Sequence, residues 1–234
     1  MKSSNMVLAI MFIATVFIIF PTNNLSSNSL SSPNWSGYMS NYSIENISSI
    51  SANWSVPAIK SQNNTYVYKW IGVGGWNNDE NTLIQIGTIS QSEYNSTFYF
   101  VFIETLPNPS NISLSINPIS ANDNVSASIT KISSNLWNVK LKVLNTNQTI
   151  SKNIYYSTNE STAEWIVERP YNNNFSSLYN LANFSETSFN NISIIVNGEK
   201  ENLCSHGINE INMKLNSYIV PHFINCNSFS VSNP

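Results

Sequence analysis

Three short stretches of this 234-residue chain set reactive groups among strand-like apolar neighbours. In Leu83-Ile84-Gln85-Ile86-Gly87 a neutral amide interrupts an apolar run. Strand alternation puts Leu83, Gln85 and Gly87 on one face and Ile84 and Ile86 on the other. Such a glutamine either bonds a backbone group in a core or faces a cleft. In Ala163-Glu164-Trp165-Ile166-Val167-Glu168 the two acids share a face with Ile166, opposite Trp165 and Val167. They stand about 13 Å apart along an extended strand, too far for an intimate carboxyl pair. A partly buried glutamate has a raised pKa and remains a proton donor at low pH; a solvated face with two acids is the plainer reading. In Lys69-Trp70-Ile71-Gly72-Val73-Gly74-Gly75-Trp76 the glycines permit close approach by a ligand, with Trp70 as an apolar wall. A core tryptophan beside a bulge explains the same letters.

Other routes to catalysis are scarce. The chain has two histidines, no Gly-x-Ser-x-Gly elbow, no His-Glu-x-x-His, no phosphate-binding glycine loop, and no Asp-Thr-Gly or Asp-Ser-Gly to found a carboxylate dyad. No cofactor or metal is expected. Any activity must rest on carboxylates, amides, hydroxyls and aromatics.

The elements that must position these groups read as β-strands throughout. From residue 34 onward short β-branched and aromatic runs alternate with Asn, Ser, Pro or Gly clusters. Strands are expected at Ile50–Val56, Tyr66–Val73, Thr82–Ile89, Ser96–Thr105, Ile112–Ile116, Asn124–Ile132, Leu136–Val143, Lys152–Ser157, Ala163–Glu168, Ser188–Val196 and Phe229–Val231. Phe175–Ala182 is the one run with a helical period. The expectation is an all-β chain forming a single antiparallel β-sandwich over residues 34–234.

Only 10% of residues are charged, against about 25% in an ordinary soluble domain. A net charge of −3 with ten Lys and Arg leaves no basic surface, which argues against nucleic acid as a partner. With Lys2 removed and every carboxylate protonated, nine Lys and Arg and two His give only +11, where ordinary charge density would give about +30. Such a chain tolerates acid, because little repulsion builds up when its carboxylates are neutralised. Codon drift towards Asn and Ser would produce the same composition.

Lys2 followed by the apolar run Met6–Phe20 is too short to span a bilayer as a helix and reads as a signal peptide over residues 1–22. An uncleaved signal anchor would instead tether the chain to a membrane. A Ser/Asn linker is expected over 23–33, with no room for a long inhibitory prosegment between Phe20 and Asn34. Either way the bulk of the chain is expected to be extracellular. Thirteen Asn-x-Ser/Thr sequons, from Asn34 to Asn191, agree with export to a glycosylating compartment and are expected mostly in turns and exposed strand edges. Cys204 and Cys226 are expected to form a disulfide, for about 3 kcal/mol in the chain-entropy model. Adding His206 and His222 would complete a zinc site, but in acid the imidazoles and thiols would hold protons rather than metal.

Taken together the stretches resemble the glutamic peptidases, the eqolisin family of acid endopeptidases. Asn34-Trp35-Ser36-Gly37-Tyr38 is similar to the family's Asn-Trp-Ala-Gly opening, Asn53-Trp54-Ser55-Val56-Pro57 to its strand ending Val-Pro, and Trp70-Ile71-Gly72 to its Trp-Val-Gly. Leu83–Gly87 fits the segment with the catalytic Gln, and Ala163–Glu168 the segment with the catalytic Glu. Glu104 with Pro107 resembles a Tyr-Glu-Trp-Tyr-Pro segment, and Asn227–Val231 the last strand. Gly74 stands where fungal members carry Asp, and Ile103 and Thr105 replace aromatics flanking Glu104.

The resemblance implies a concanavalin A/lectin-like jelly roll with a cleft on the concave face of one sheet. It implies polypeptide substrates and a monomer. Glu164 would serve as general base and then acid, Gln85 would orient the water and bind the oxyanion, and Trp70 and Glu104 would line the substrate cleft. Two rivals stand beside it. A carbohydrate-binding or adhesin module would expose Trp and Tyr on an open platform. An acid glycosidase using Glu104 and Glu164 would need their carboxyls about 5–10 Å apart.

Overall fold

A computed structural model describes residues 28–42, 47–76, 82–107, 112–114, 119–172, 176–205 and 207–233. The expected signal segment, residues 23–27 of the expected linker, His206 and the sequons at Asn46, Asn111 and Asn174 lie outside the described residues. The described chain is all β. Its strands are β1 (Asn28–Ser32), β2 (Trp35–Asn41), β3 (Ile47–Ser55), β4 (Thr65–Val73), β5 (Leu83–Glu93), β6 (Ser96–Leu106), β7 (Ile112–Leu114), β8 (Asn124–Ser133) and β9 (Leu136–Val143). There follow β10 (Thr149–Tyr155), β11 (Thr162–Glu168), β12 (Asn180–Leu181), β13 (Thr187–Val196), β14 (Glu199–Glu201), β15 (Ile208–Lys214), β16 (Tyr218–Ile219), β17 (Pro221–Asn225) and β18 (Ser228–Val231).

Two mostly antiparallel sheets form the expected sandwich. The ten-stranded sheet runs β1-β15-β2-β11-β4-β5-β6-β7, with β12 beside β4 and β16 beside β15. The eight-stranded sheet runs β10-β9-β8-β3-β13-β18-β17, with β14 beside β13. Alternation explains the core. Ile71 and Val73 of β4, Ile84 and Ile86 of β5, and Trp165 and Val167 of β11 turn inwards, to meet Trp54, Trp137, Phe189 and Phe229 of the facing sheet. The opposite face of the ten-stranded sheet carries its own apolar layer around Trp70, Leu83, Phe102 and Ile166. A sheet apolar on both faces reads as near-continuous hydrophobic strands, which is how β4, β5 and β11 read.

Three expectations need correction. Residues 28–32 are not linker: β1 pairs in parallel with β15, from Asn28 opposite Asn209 to Ser32 opposite Met213. Its Leu30 packs on the second apolar layer, and an edge strand requires little more than that from its side chains. Residues 176–182 of the run with a helical period form no helix: a bend at 176–177 leads into Asn180–Leu181, which pairs in parallel with Thr65 and Tyr66. The apolar spacing there reflects Leu181 and Ala182 packing onto the core from an irregular segment. Asn34 is not an exposed sequon but half-buried, its amide donating to Glu168 Oε1 at 3.1 Å. Asn95, Asn147 and Asn191 do fall where expected, exposed and with positive φ.

Cys204 and Cys226 form a disulfide with Cα atoms 5.1 Å apart, which removes both thiolates from the alternative zinc site.

Candidate active site

The outer face of the ten-stranded sheet brings the singled-out residues into one row. Glu104 of β6 pairs with Gln85 of β5, Gln85 with Gly72 of β4, Gly72 with Glu164 of β11, and Glu164 with Met39 of β2. Gln85 and Glu164 therefore project from the same face, two strands and about 10 Å of backbone apart. Between them lies a residue with no side chain. The space over Gly72 is shaped by its neighbours: a Cβ there would sit 2.7 Å from Leu83 Cδ1 and 2.8 Å from the Trp70 ring.

Above the row opens a cleft of about 690 Å³. Its wall includes Trp35, Tyr68, Gly75, Trp76, Gln85 and Glu104. Glu164 is fully buried directly behind Gly75, whose backbone N–H donates to Glu164 Oε1 at 2.9 Å. Glu164 Oε2 and Gln85 Oε1 are both buried without a protein partner. Burial pushes the Glu164 carboxyl up to about 7, against the opposing pull of the Thr162 hydroxyl and the Gly75 N–H. Gln85 Nε2 donates to Glu104 Oε2 at 2.7 Å. Glu104 is also raised by burial, with the Gln85 amide acting the other way.

A third acid joins the site. Glu168, two rows along β11, accepts from Trp70 Nε1 at 2.7 Å and from Asn34 Nδ2 at 3.1 Å. Burial lifts it to about 7 despite these donors. Tyr68, opposite it on β4, is raised first by burial and then by the charges of Glu168 and Glu104. Alternation had placed Glu168 on the face of Glu164; its partners come from β4 and from the bend just before β2, and no local spacing announces them.

Trp70, expected as the cleft wall, lies one layer deeper. It is fully buried, its N–H taken by Glu168, and Trp35 stacks edge-on against it at 5.0 Å between ring centroids. Gly87 leaves the room: a Cβ there would come within 2.5 Å of Trp70 Cβ. Trp35 and Trp76 form the wall instead. Gly74, in place of an Asp, has φ +87°, a conformation that favours glycine. The space a side chain would need is filled by Thr158, whose Oγ1 lies 3.1 Å from Thr82 Oγ1.

The geometry disfavours both rivals. Glu104 and Glu164 stand three strands, about 14 Å of backbone, apart. Trp54, Trp70, Trp137 and Trp165 are buried, and Trp35 and Trp76 line the cleft rather than an open platform. Among the described residues no group of three His, Cys, Asp or Glu is arranged to hold a metal ion.

Comparison with known proteins points the same way. Residues 33–232 match the model of the peptidase A4 family. The fold is similar to that of scytalido-glutamic peptidase solved with a transition state analog inhibitor, at a TM-score of 0.74 and 23% identity, covering 86% of this chain and 98% of that one. It is also similar to SCP-B, a member of the eqolisin family solved with the tripeptide Ala-Ile-His, at a TM-score of 0.69 and 23% identity over the same 86% and 98%. Aspergilloglutamic peptidase from Aspergillus niger gives a TM-score of 0.59 and 20% identity, covering 72% of this chain and 98% of that one. No curated protein matches the chain in sequence.

Proposed function

This chain belongs to the peptidase A4 family, the glutamic peptidases, and on that premise we propose that it is a secreted endopeptidase working at low pH through Glu164, Gln85 and one water molecule. It is a hydrolase of polypeptides; the dyad, the acid range and the export are the proposed parts. A water between the two side chains donates to Glu164 Oε2 and Gln85 Oε1. Glu164 takes a proton as the water oxygen attacks the scissile carbonyl carbon. Gln85 Nε2 donates its second hydrogen to the oxyanion. Glu164 then returns the proton to the amine nitrogen as the C–N bond breaks.

One observation carries this reading: a carboxyl and an amide face the same side of one sheet across Gly72, each with a buried oxygen that no protein group satisfies. Burial, working against the Thr162 hydroxyl and the Gly75 N–H, holds Glu164 in its protonated form up to about 7. A water donating to Oε2 favours the anion and draws the carboxyl back towards its ordinary range, so the attacking water also helps to ionise its base. Acid working conditions are supported by how three other carboxyls are held, with Glu160, in an ion pair with Lys131, as the exception among the described residues. Tyr42 donates to Glu201 at 3.0 Å, Tyr66 to Glu93, and Asn212 to Glu210 at 3.0 Å, contacts to neutral donors that a protonated acid can still accept. The disulfide supports an oxidising compartment.

The test is digestion of a denatured protein at pH 3 with pepstatin present. Wild type is expected to cleave it. Gln85→Ala, lacking the oxyanion donor, is expected to lose about 10²–10³ in kcat while keeping the fold. Wild-type rates from that variant, or full inhibition by pepstatin, would remove the dyad.

Gly72→Ala tests the space between the two groups. Its methyl must displace the Trp70 ring or Leu83. Turnover is expected to fall at least about tenfold, with a stability cost of about 1–3 kcal/mol for overpacking. Parallel rate and urea-melt measurements check this, and an unchanged rate would mean the dyad does not meet over Gly72.

A further inference from the structure

We infer that Glu104 is a positioning residue that fixes which way round the Gln85 amide lies, turning Nε2 towards β6 and Oε1 towards Glu164. This rests on the dyad reading above and assigns Glu104 a part in it beyond lining the cleft. The two ends of a glutamine amide are nearly the same size, so only hydrogen bonding tells them apart. Gln85 has two lateral neighbours in its row. On one side Gly72 offers no side chain; on the other Glu104 Oε2 lies 2.7 Å from Nε2. A carboxylate only accepts, so it holds the N–H₂ end and repels the oxygen end. The protonated acid keeps a carbonyl oxygen that accepts in the same way, while its hydroxyl can also donate to the oxygen end, so the choice of flip is strict for the carboxylate and weaker for the acid.

The consequence falls on the opposite side of Gln85. With one Nε2 hydrogen held by Glu104, Oε1 is directed away from β6, where it is buried and unpartnered. It is then an acceptor for a water hydrogen, and the second Nε2 hydrogen is left for the oxyanion. A flipped amide would set oxygen against oxygen at an ionised Glu104, and in either ionisation state it would present N–H groups to the water, which needs an acceptor there. Glu104 touches neither water nor the scissile bond in this scheme; it acts through Gln85.

Glu104→Leu is one atom shorter, keeps a branched apolar side chain of similar volume and removes the acceptor. Its kcat at pH 3 is expected to fall roughly 100-fold, the scale of a misplaced catalytic group, with KM within about threefold of wild type. Glu104→Gln, which retains an acceptor oxygen, is expected to stay within about tenfold of wild type. In the double variant with Gln85→Ala, removing Glu104 is expected to add no further loss, because the group it aligns is gone. A raised KM with unchanged kcat, a Glu104→Gln variant as slow as Glu104→Leu, or additive losses in the double variant would each overturn the inference. Should Glu104→Leu fail to fold, Glu104→Ala is read by the same criteria. A fully active Gln85→Ala would bring down the dyad itself, whereas a slow Gln85→Ala beside a fast Glu104→Leu would bring down only the role of Glu104.

Discussion

Glu164→Gln is expected to stop peptide hydrolysis and leave the sandwich intact. The substitution keeps volume and shape, and its amide oxygen can still accept from the Gly75 N–H, which now lies 2.9 Å from Glu164 Oε1. What it removes is the proton acceptor for the attacking water and the donor for the leaving amine. One group serves both steps, and general acid–base catalysis alone contributes about 10²–10⁴. A loss of at least about 10³ in kcat is therefore expected at every pH, with an unchanged circular dichroism spectrum. Among the described residues no other acid can stand in: Glu168 is held by Trp70 and Asn34, and Glu104 is on the far side of Gln85. In wild type the acid limb of the kcat/KM profile should follow ionisation of Glu164. Turnover near the wild-type rate by Glu164→Gln at pH 3 would leave the cleft without its base and the mechanism without a first step.

Much of this site was legible because a strand has a period of two. Alternation alone set Gln85 with Leu83 and Gly87, and Glu164 with Ile166 and Glu168, each on one face. The motif resemblance then joined the faces. What neither could supply was register. That Gly72 stands between Gln85 and Glu164 depends on the alignment of β4 with both β5 and β11, residues far apart in the chain. Asn34 looked like a glycan acceptor because its local letters satisfy a sequon; its partner Glu168 is 134 residues away. Trp70 looked like a cleft wall because nothing local says that Trp35 covers it. The strands β2 and β14–β17 went unanticipated for a related reason. The Gly, Asn, Pro, Glu and Lys residues of β2, β14, β15 and β17 have low strand propensity, which pairing with neighbours overrides, and β16, a Tyr-Ile pair, is too short to read as a strand on its own. The buried Lys69 is another long-range result: its ammonium group meets Thr187 and the Ser188 carbonyl and lies 4.4 Å from the centre of the Phe189 ring, all from the facing sheet.

The protein is expected to be more stable near pH 4 than near pH 7 on account of the same carboxyl that does the chemistry. In the unfolded chain Glu164 ionises near 4.5; in the folded one burial keeps its proton to about 7. Between those values the unfolded chain has released a proton that the folded chain still holds, so rising pH draws the equilibrium towards unfolding. The stabilisation is fully present below about 4.5 and gone above about 7, and the gap corresponds to at most about 3 kcal/mol, reduced by whatever the water held at Oε2 returns to the anion. Glu168 and Glu104, both raised by burial, act in the same direction. Lys69, held well below its usual range by burial, acts in the opposite one. As pH falls its cost to the fold grows while the unfolded lysine holds a proton that the folded one lacks, and levels off once the folded lysine is protonated too. Comparing wild type with Glu164→Gln isolates the one carboxyl from the rest. The variant is expected to match wild type near pH 4 and to gain on it steadily to pH 7, by at most about 3 kcal/mol, which is roughly 6–12 °C in melting temperature for a domain of this size. Thermal melts of both proteins at half-unit pH steps read this directly. An offset that stays constant across that range would mean that Glu164 titrates in the fold as it does in the open chain, and that its burial imposes no cost on its charge.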